Sequence, residues 1–156
     1  MATHGKELHV KRVELIESLA DRAEITDLVS RLTAGLDEHR FDELLTLFVE
    51  DATAQTPGGV AEGREAVVMQ ATRNHRDFDR LQHLVTGVLI DLDGDQATVR
   101  ANVVGVFGRS TDDAPARALG GVYRFEFVRT EAGWRFKTVA VRPVWHTGEA
   151  PIPVPA

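Results

Sequence analysis

The sequence predicts an α+β fold, and three observations carry the prediction. Apolar residues in the first half recur near the 3.6-residue helical period, whereas the second half falls into long apolar or alternating runs. Glycine-containing turns separate those runs. Helices grouped ahead of a strand meander belong to a layered α+β fold, not to alternating βα units.

The elements follow in chain order. From Val13 to Leu36 the apolar positions Val13, Ile16, Leu19, Ile25, Leu28, Val29, Leu32 and Leu36 mark a long helix. Asp21 and Glu24 have the spacing of a capping box, which predicts a bend near Ser18 to Asp21. A short helix over Phe41–Phe48 turns Leu44, Leu45 and Phe48 inward, and "DATAQTPGG" reads as a short strand entering a turn. A third helix, Gly63 to about Asn74, buries Val67, Val68 and Ala71. Strands are expected at about 81–92, 96–109, 117–130 and 134–145, the first two joined at Asp93-Gly94 by a type I′ turn. Side chains alternate across a strand, so Tyr123, Phe125 and Phe127 share one face and Arg124 and Glu126 the other. One domain over residues 1–156 is expected, with loosely ordered tails at 1–10 and 149–156. Ile152 and Val154 in the proline-rich tail could cross a pocket mouth or a neighbouring subunit.

Composition narrows the function classes. A net charge of −6 with no dense Lys/Arg block argues against nucleic acid, whose phosphates need a basic stripe. The absence of cysteine removes disulfides, thiolate metal sites and a cysteine nucleophile together. No apolar run approaches the ~18 residues of a membrane span, and the N-terminus lacks a signal-peptide apolar core. A cytoplasmic protein with neither metal nor cofactor is the expectation. His4, His9, His39, His75 and His146 show no metal-ligand spacing.

Two ionisable residues sit in apolar settings: Asp37, at the end of the long helix, and His83, among Leu81, Leu84 and Val85. A carboxylate beside an imidazole fixes its tautomer and makes it a better base. Each also has an ordinary structural reading, a solvated helix-end Asp and a satisfied strand His. Asn102 could orient a substrate oxygen or face solvent, Tyr123 could donate to an oxyanion or pack in the core, and Arg142 could clamp an anion or pair at an interface.

The segments "DRAEITDLVSRLTAGLDEHRFDELLTLFVEDA", "GREAV", "LQHLVTGVLIDLDGDQATV", "GGVYRFEFVRTEAGWRF" and "VRPVWHTG", in this order, resemble the SnoaL-like family of the nuclear-transport-factor-like superfamily. The resemblance spans roughly Leu19 to Gly148. It implies a cone-shaped barrel, a curved and mostly antiparallel sheet wrapped around about three helices and enclosing a pocket. Scytalone dehydratase, lindane dehydrochlorinase and bile-acid 7α-dehydratase, members of the superfamily, use an Asp and a His at the places held here by Asp37 and His83. The resemblance implies a catalytic pair of these two and a pocket lined also by Phe48, Met69, Phe107 and Trp145. Departures from those relatives fall at Phe107 and Leu36, in place of a histidine and a tyrosine, and at Leu32 and Val139, in place of a lysine and an arginine. The implied function is cofactor-free acid/base chemistry, by a lyase, isomerase or cyclase, on a hydrophobic polyketide, aromatic or steroid-like molecule. The alternatives are a non-catalytic ligand-binding or assembly module and an oxygenase β-subunit-like structural protein. Apolar residues on the outer sheet face imply a homo-oligomer, dimer or trimer.

Overall fold

The computed structural model describes residues 2–149, with side chains from residue 5 onward. The elements are α1 (Ala2–Asp37), α2 (Phe41–Leu44) followed by a 3-10 turn (Leu45–Leu47), β1 (Phe48–Thr56), β2 (Gly59–Glu62), α3 (Arg64–His75), β3 (Arg80–Asp93), β4 (Gln96–Gly108), β5 (Arg117–Thr130) and β6 (Gly133–Gly148). Residues 2–10 therefore belong to a helix, and α1 runs through Ser18–Asp21 without a break. The Asp21/Glu24 spacing serves a tertiary attachment instead of a cap: Asp21 Oδ1 accepts from the Trp134 indole N–H at 2.9 Å, and Glu24 Oε1 accepts from the Trp134 backbone N–H at 2.8 Å. Only the second half of α1 meets the sheet. Ile25, Leu28, Val29, Leu32 and Leu36 are buried, whereas Val13, Ile16 and Leu19 on the same apolar stripe are exposed.

The six strands form one sheet in the order β2-β1-β6-β5-β4-β3. The β1–β6 pairing is parallel and the others antiparallel, so the sheet is mixed. It is α+β as expected, but the expected barrel is wrong. Closure requires the two edge strands to pair; here β2 pairs only β1, β3 pairs only β4, and among the described residues no strand joins them. The four-residue β2 offers too short an edge, and helices cover the inner face in place of closure. That face carries Ala97, Val99, Ala101 and Val103 of β4, Tyr123, Phe125 and Phe127 of β5 and Trp134, Phe136 and Val139 of β6, all buried with α1 in one core.

The β3–β4 hairpin turns one residue later than expected. Asp93 pairs with Gln96, so Gly94 and Asp95 form the loop. Gly94 has φ +58° while Asp95 does not take a positive φ, which fits a type II′ turn and not type I′. A register shift between Thr86 and Leu89 bends β3 around the inner face. Among the described residues no helix is long and apolar enough to cross a membrane. Ile152 and Val154 lie outside the described residues.

Candidate active site

Asp37 is positioned by the way α1 ends. His39 takes a left-handed φ of 56°, His39 N–H donates to the Leu36 carbonyl at 3.3 Å, and Arg40 N–H donates to the Gly35 carbonyl at 2.8 Å. These two bonds make a Schellman stop, with His39 where glycine is usual. His39 Nε2 donates to the Phe78 carbonyl at 2.7 Å, which anchors the non-glycine residue in that conformation. The last helical turn is thereby held against the start of β3.

There the carboxylate grips a single residue twice. Asp37 Oδ2 accepts from the His83 backbone N–H at 2.9 Å, and Oδ1 meets His83 Nδ1 at 2.6 Å. A carboxylate is an acceptor, so the ring proton sits on Nδ1 and the lone pair on Nε2. Burial alone would raise the Asp37 pKa, but the two His83 hydrogen bonds outweigh it and hold the carboxyl below its ordinary value. The His83 side chain is 4 % exposed, and its Nε2 has no hydrogen-bond partner among the described residues. Gly105, directly across the β3–β4 ladder, makes room for this ring: a Cβ there would lie 3.3 Å from Nε2 and 2.9 Å from the Phe107 ring.

His83 lines a cavity of about 130 Å³ between the sheet, α1 and α3. That is close to the ~150 Å³ known to admit one benzene ring. Most of the wall is apolar: Leu32, Leu36 and Phe48 stand near Val67, Ala71, Phe107, Leu119, Val139 and Val141. Tyr123 also lines this space; burial and the Asp37 charge push its pKa up, so it remains a donor.

Among the expected site residues, Asp37 and His83 are thus joined, and Phe48, Phe107 and Tyr123 share the cavity with His83. Met69, Asn102, Arg142 and Trp145 are exposed and outside its lining. Met69 lies on the solvent side of α3, and Asn102 points opposite to buried Ala101 and Val103. Arg142 lies opposite Val141, which does line the cavity, and the Trp145 ring lies over Gly120.

Sequence reasoning missed His75, Gln70, Asn74 and Arg117, all of which line the cavity. His75 follows Ala71 by one helical turn, so helical spacing from Val67 and Ala71 would have found it. Its Nδ1 donates to the Ala71 carbonyl at 2.7 Å, leaving a bare Nε2, and burial pushes its pKa down to about 4. Its ring centroid is 5.3 Å from that of His83. Arg117 has the strand parity of Leu119 and Tyr123, a second signal that was available. Among the described residues no group of three or more His, Asp or Glu side chains is arranged to hold a metal ion.

Comparison with known proteins adds three findings. The model of the SnoaL-like domain family matches residues 17–140. The uncharacterised protein Rv2910c of Mycobacterium tuberculosis is 28% identical over 123 residues, covering 77% of this chain and 83% of its own. Among solved structures, a candidate scytalone dehydratase from Novosphingobium aromaticivorans has a TM-score of 0.78 at 24% identity, covering 88% of this chain and 93% of that one. The hexachlorocyclohexane dehydrochlorinase LinA-type3 from Novosphingobium barchaimii has a TM-score of 0.76 at 23% identity, covering 90% and 99%. At these identities the two structures share the fold.

Proposed function

The chain belongs to the SnoaL-like domain family, and on that premise we propose that it is a cofactor-independent lyase, isomerase or cyclase in which His83 removes a proton from carbon. The observation that carries this reading is the His83 ring, pinned by Asp37 through Nδ1 while Nε2 is left to the cavity. A purely structural His–Asp pair would have both ring nitrogens satisfied and no volume beside them. The scytalone dehydratase and dehydrochlorinase names of the structural neighbours point to the same class of chemistry.

The three reaction types share a first step. Nε2 takes a proton from a carbon next to a carbonyl, and Asp37 stabilises the imidazolium that forms. The electron pair left on carbon then expels a β-leaving group, attacks an electrophilic carbon of the same molecule, or is reprotonated at another position. The imidazolium returns its proton to the departing oxygen, the new alkoxide or the carbon, which closes the cycle. Tyr123 is the neutral donor available to a developing oxyanion. The volume and the apolar wall favour a substrate presenting a single ring to the cavity.

The test is deuterium incorporation. Apolar ketones and hydroxyketones incubated in D2O with the protein are expected to exchange the proton next to the carbonyl, read by NMR, and His83→Ala is expected to abolish the exchange. Absence of exchange across a panel of ring-bearing ketones, or exchange that survives His83→Ala, contradicts the reading. Leu84, Leu89, Val144 and Trp145 are exposed, and self-association of the chain through its exposed apolar sheet residues is part of the proposal. Sedimentation of wild type as a monomer would exclude that part alone.

A further inference from the structure

Arg117 is a permanently charged, half-buried side chain at an apolar cavity, and its Nε is buried without a hydrogen-bond partner among the described residues. It opens β5 and lines the cavity with Leu119 and Tyr123. Its guanidinium carbon stands 4.4 Å from the Phe107 ring centroid and 5.0 Å from that of Phe78. These contacts set the cation against two aromatic rings. A guanidinium also has five N–H donors to satisfy. Among the described residues Arg117 makes no hydrogen bond, and its Nε is fully buried without a partner.

The neighbouring charges do not remedy this. Glu149, the carboxylate whose charge acts on Arg117, is bound at both oxygens by Arg109, at 3.0 and 3.1 Å. Among the described residues no Asp or Glu lines the cavity. The two imidazoles beside Arg117 present bare Nε2 atoms, because their protons are committed to Ala71 and Asp37. One cation, one phenol and two imidazole lone pairs, with the Gln70 and Asn74 amides and the Thr56 hydroxyl, thus share a space walled mostly by hydrocarbon. A buried unpartnered donor is costly to keep, and at Nε of Arg117 it calls for an acceptor from outside the chain.

We propose that the cavity takes a ring-bearing organic acid and that Arg117 receives its carboxylate. Phe107 sets the scale of the arrangement, since its ring centroid lies 5.6 Å from that of His83 and 4.4 Å from the Arg117 guanidinium carbon. The proposed ligand places its carboxylate at Arg117 and reaches His83 with its neighbouring carbons. The inference deepens the proton-abstraction reading by naming the substrate class, and it rests on the cavity being that reaction's ligand site.

The probes are phenylacetate and phenylacetamide, equal in shape and different in charge, titrated into 15N-labelled protein by NMR. Wild type is expected to bind the carboxylate about tenfold more tightly or better, the size of a charge-assisted hydrogen bond. Arg117→Met is expected to bring the two affinities together, and Arg117→Lys to restore part of the preference. Arg117→Met is also expected to melt at or above the wild-type temperature, because it removes an unpartnered buried donor; a residue serving only the fold would lower it. His83→Ala is expected to keep the preference, so a failure of the base reading leaves this result standing. Equal affinities in wild type, binding of neither probe, or a preference unchanged in Arg117→Met would overturn the proposal.

Discussion

Helix α1 attaches itself to the sheet by the same construction at two places. In its middle, Asp21 and Glu24 accept the indole N–H and the backbone N–H of Trp134. At its end, Asp37 accepts the ring N–H and the backbone N–H of His83. The surroundings differ. Arg129 binds both oxygens of Asp21, at 2.7 and 2.8 Å, holding that carboxyl below its ordinary pKa, and covers the fully buried Trp134 ring at 4.5 Å. An indole has one nitrogen, so once Trp134 has donated nothing chemical is left. An imidazole has two, and at His83 the second meets a cavity. A carboxylate-to-ring hydrogen bond is therefore a fastener in one region and a means of setting a tautomer in the other.

The sharpest way to separate the two is to remove the carboxylate charge at each. Asp37→Asn is expected to lower deuterium exchange by about three orders of magnitude or more, as a wrong tautomer does in hydrolytic triads. The reason is local. The amide has one acceptor, which the His83 backbone N–H takes, and the amide NH2 then faces Nδ1 and drives the ring proton to Nε2. Asp21→Ala, by contrast, leaves the indole N–H buried and unpartnered, and a stability loss of about 2 kcal/mol with unchanged exchange is expected from chemical denaturation.

Acid supplies the next contrast, through His75. An unfolded histidine takes up its proton near pH 6.5, whereas the folded chain holds His75 neutral down to about 4. Stability is thus complete above pH 6.5 and falls as pH drops from 6.5 to 4, by on the order of 3 kcal/mol. His75→Leu should flatten that interval in urea titrations, leaving the further loss near and below pH 4 to which Asp37, with its lowered pKa, contributes. The smallest effect is expected at Gly105→Ala. Its methyl would press on Phe107 and on Nε2 of His83, for about 1.5 kcal/mol of stability, and exchange should fall through displacement of the ring.

The layered α+β class was legible in the sequence, because periodicity and strand alternation are local signals; Asp37 and His83 stood out as ionisable residues in apolar settings, and their pairing was implied by the family resemblance alone. Closure was not legible. Whether a sheet becomes a barrel depends on the pairing of its two edges, and "GVAE", which forms β2, is too short to announce itself as an edge strand. Asp21 and Glu24 were misread because a capping box and a two-point grip on Trp134 use the same spacing. Arg142 and Trp145 fall in the part of β6 where a register shift near Pro143 and exposure of every residue from Arg142 onward remove the face-by-face alternation. His75 was missed because the expected helix ended one residue short, at about Asn74, and Arg117 because it stands at the very start of the expected strand 117–130, ahead of the aromatic residues that mark its face.

The most direct test of the His83–Asp37 account is a long-range 1H–15N correlation spectrum of the deprotonated His83 ring, in wild type and in Asp37→Asn. The account requires the proton on Nδ1 in wild type and on Nε2 in the variant. A wild-type ring protonated at Nε2, or the same tautomer in both proteins, would contradict it.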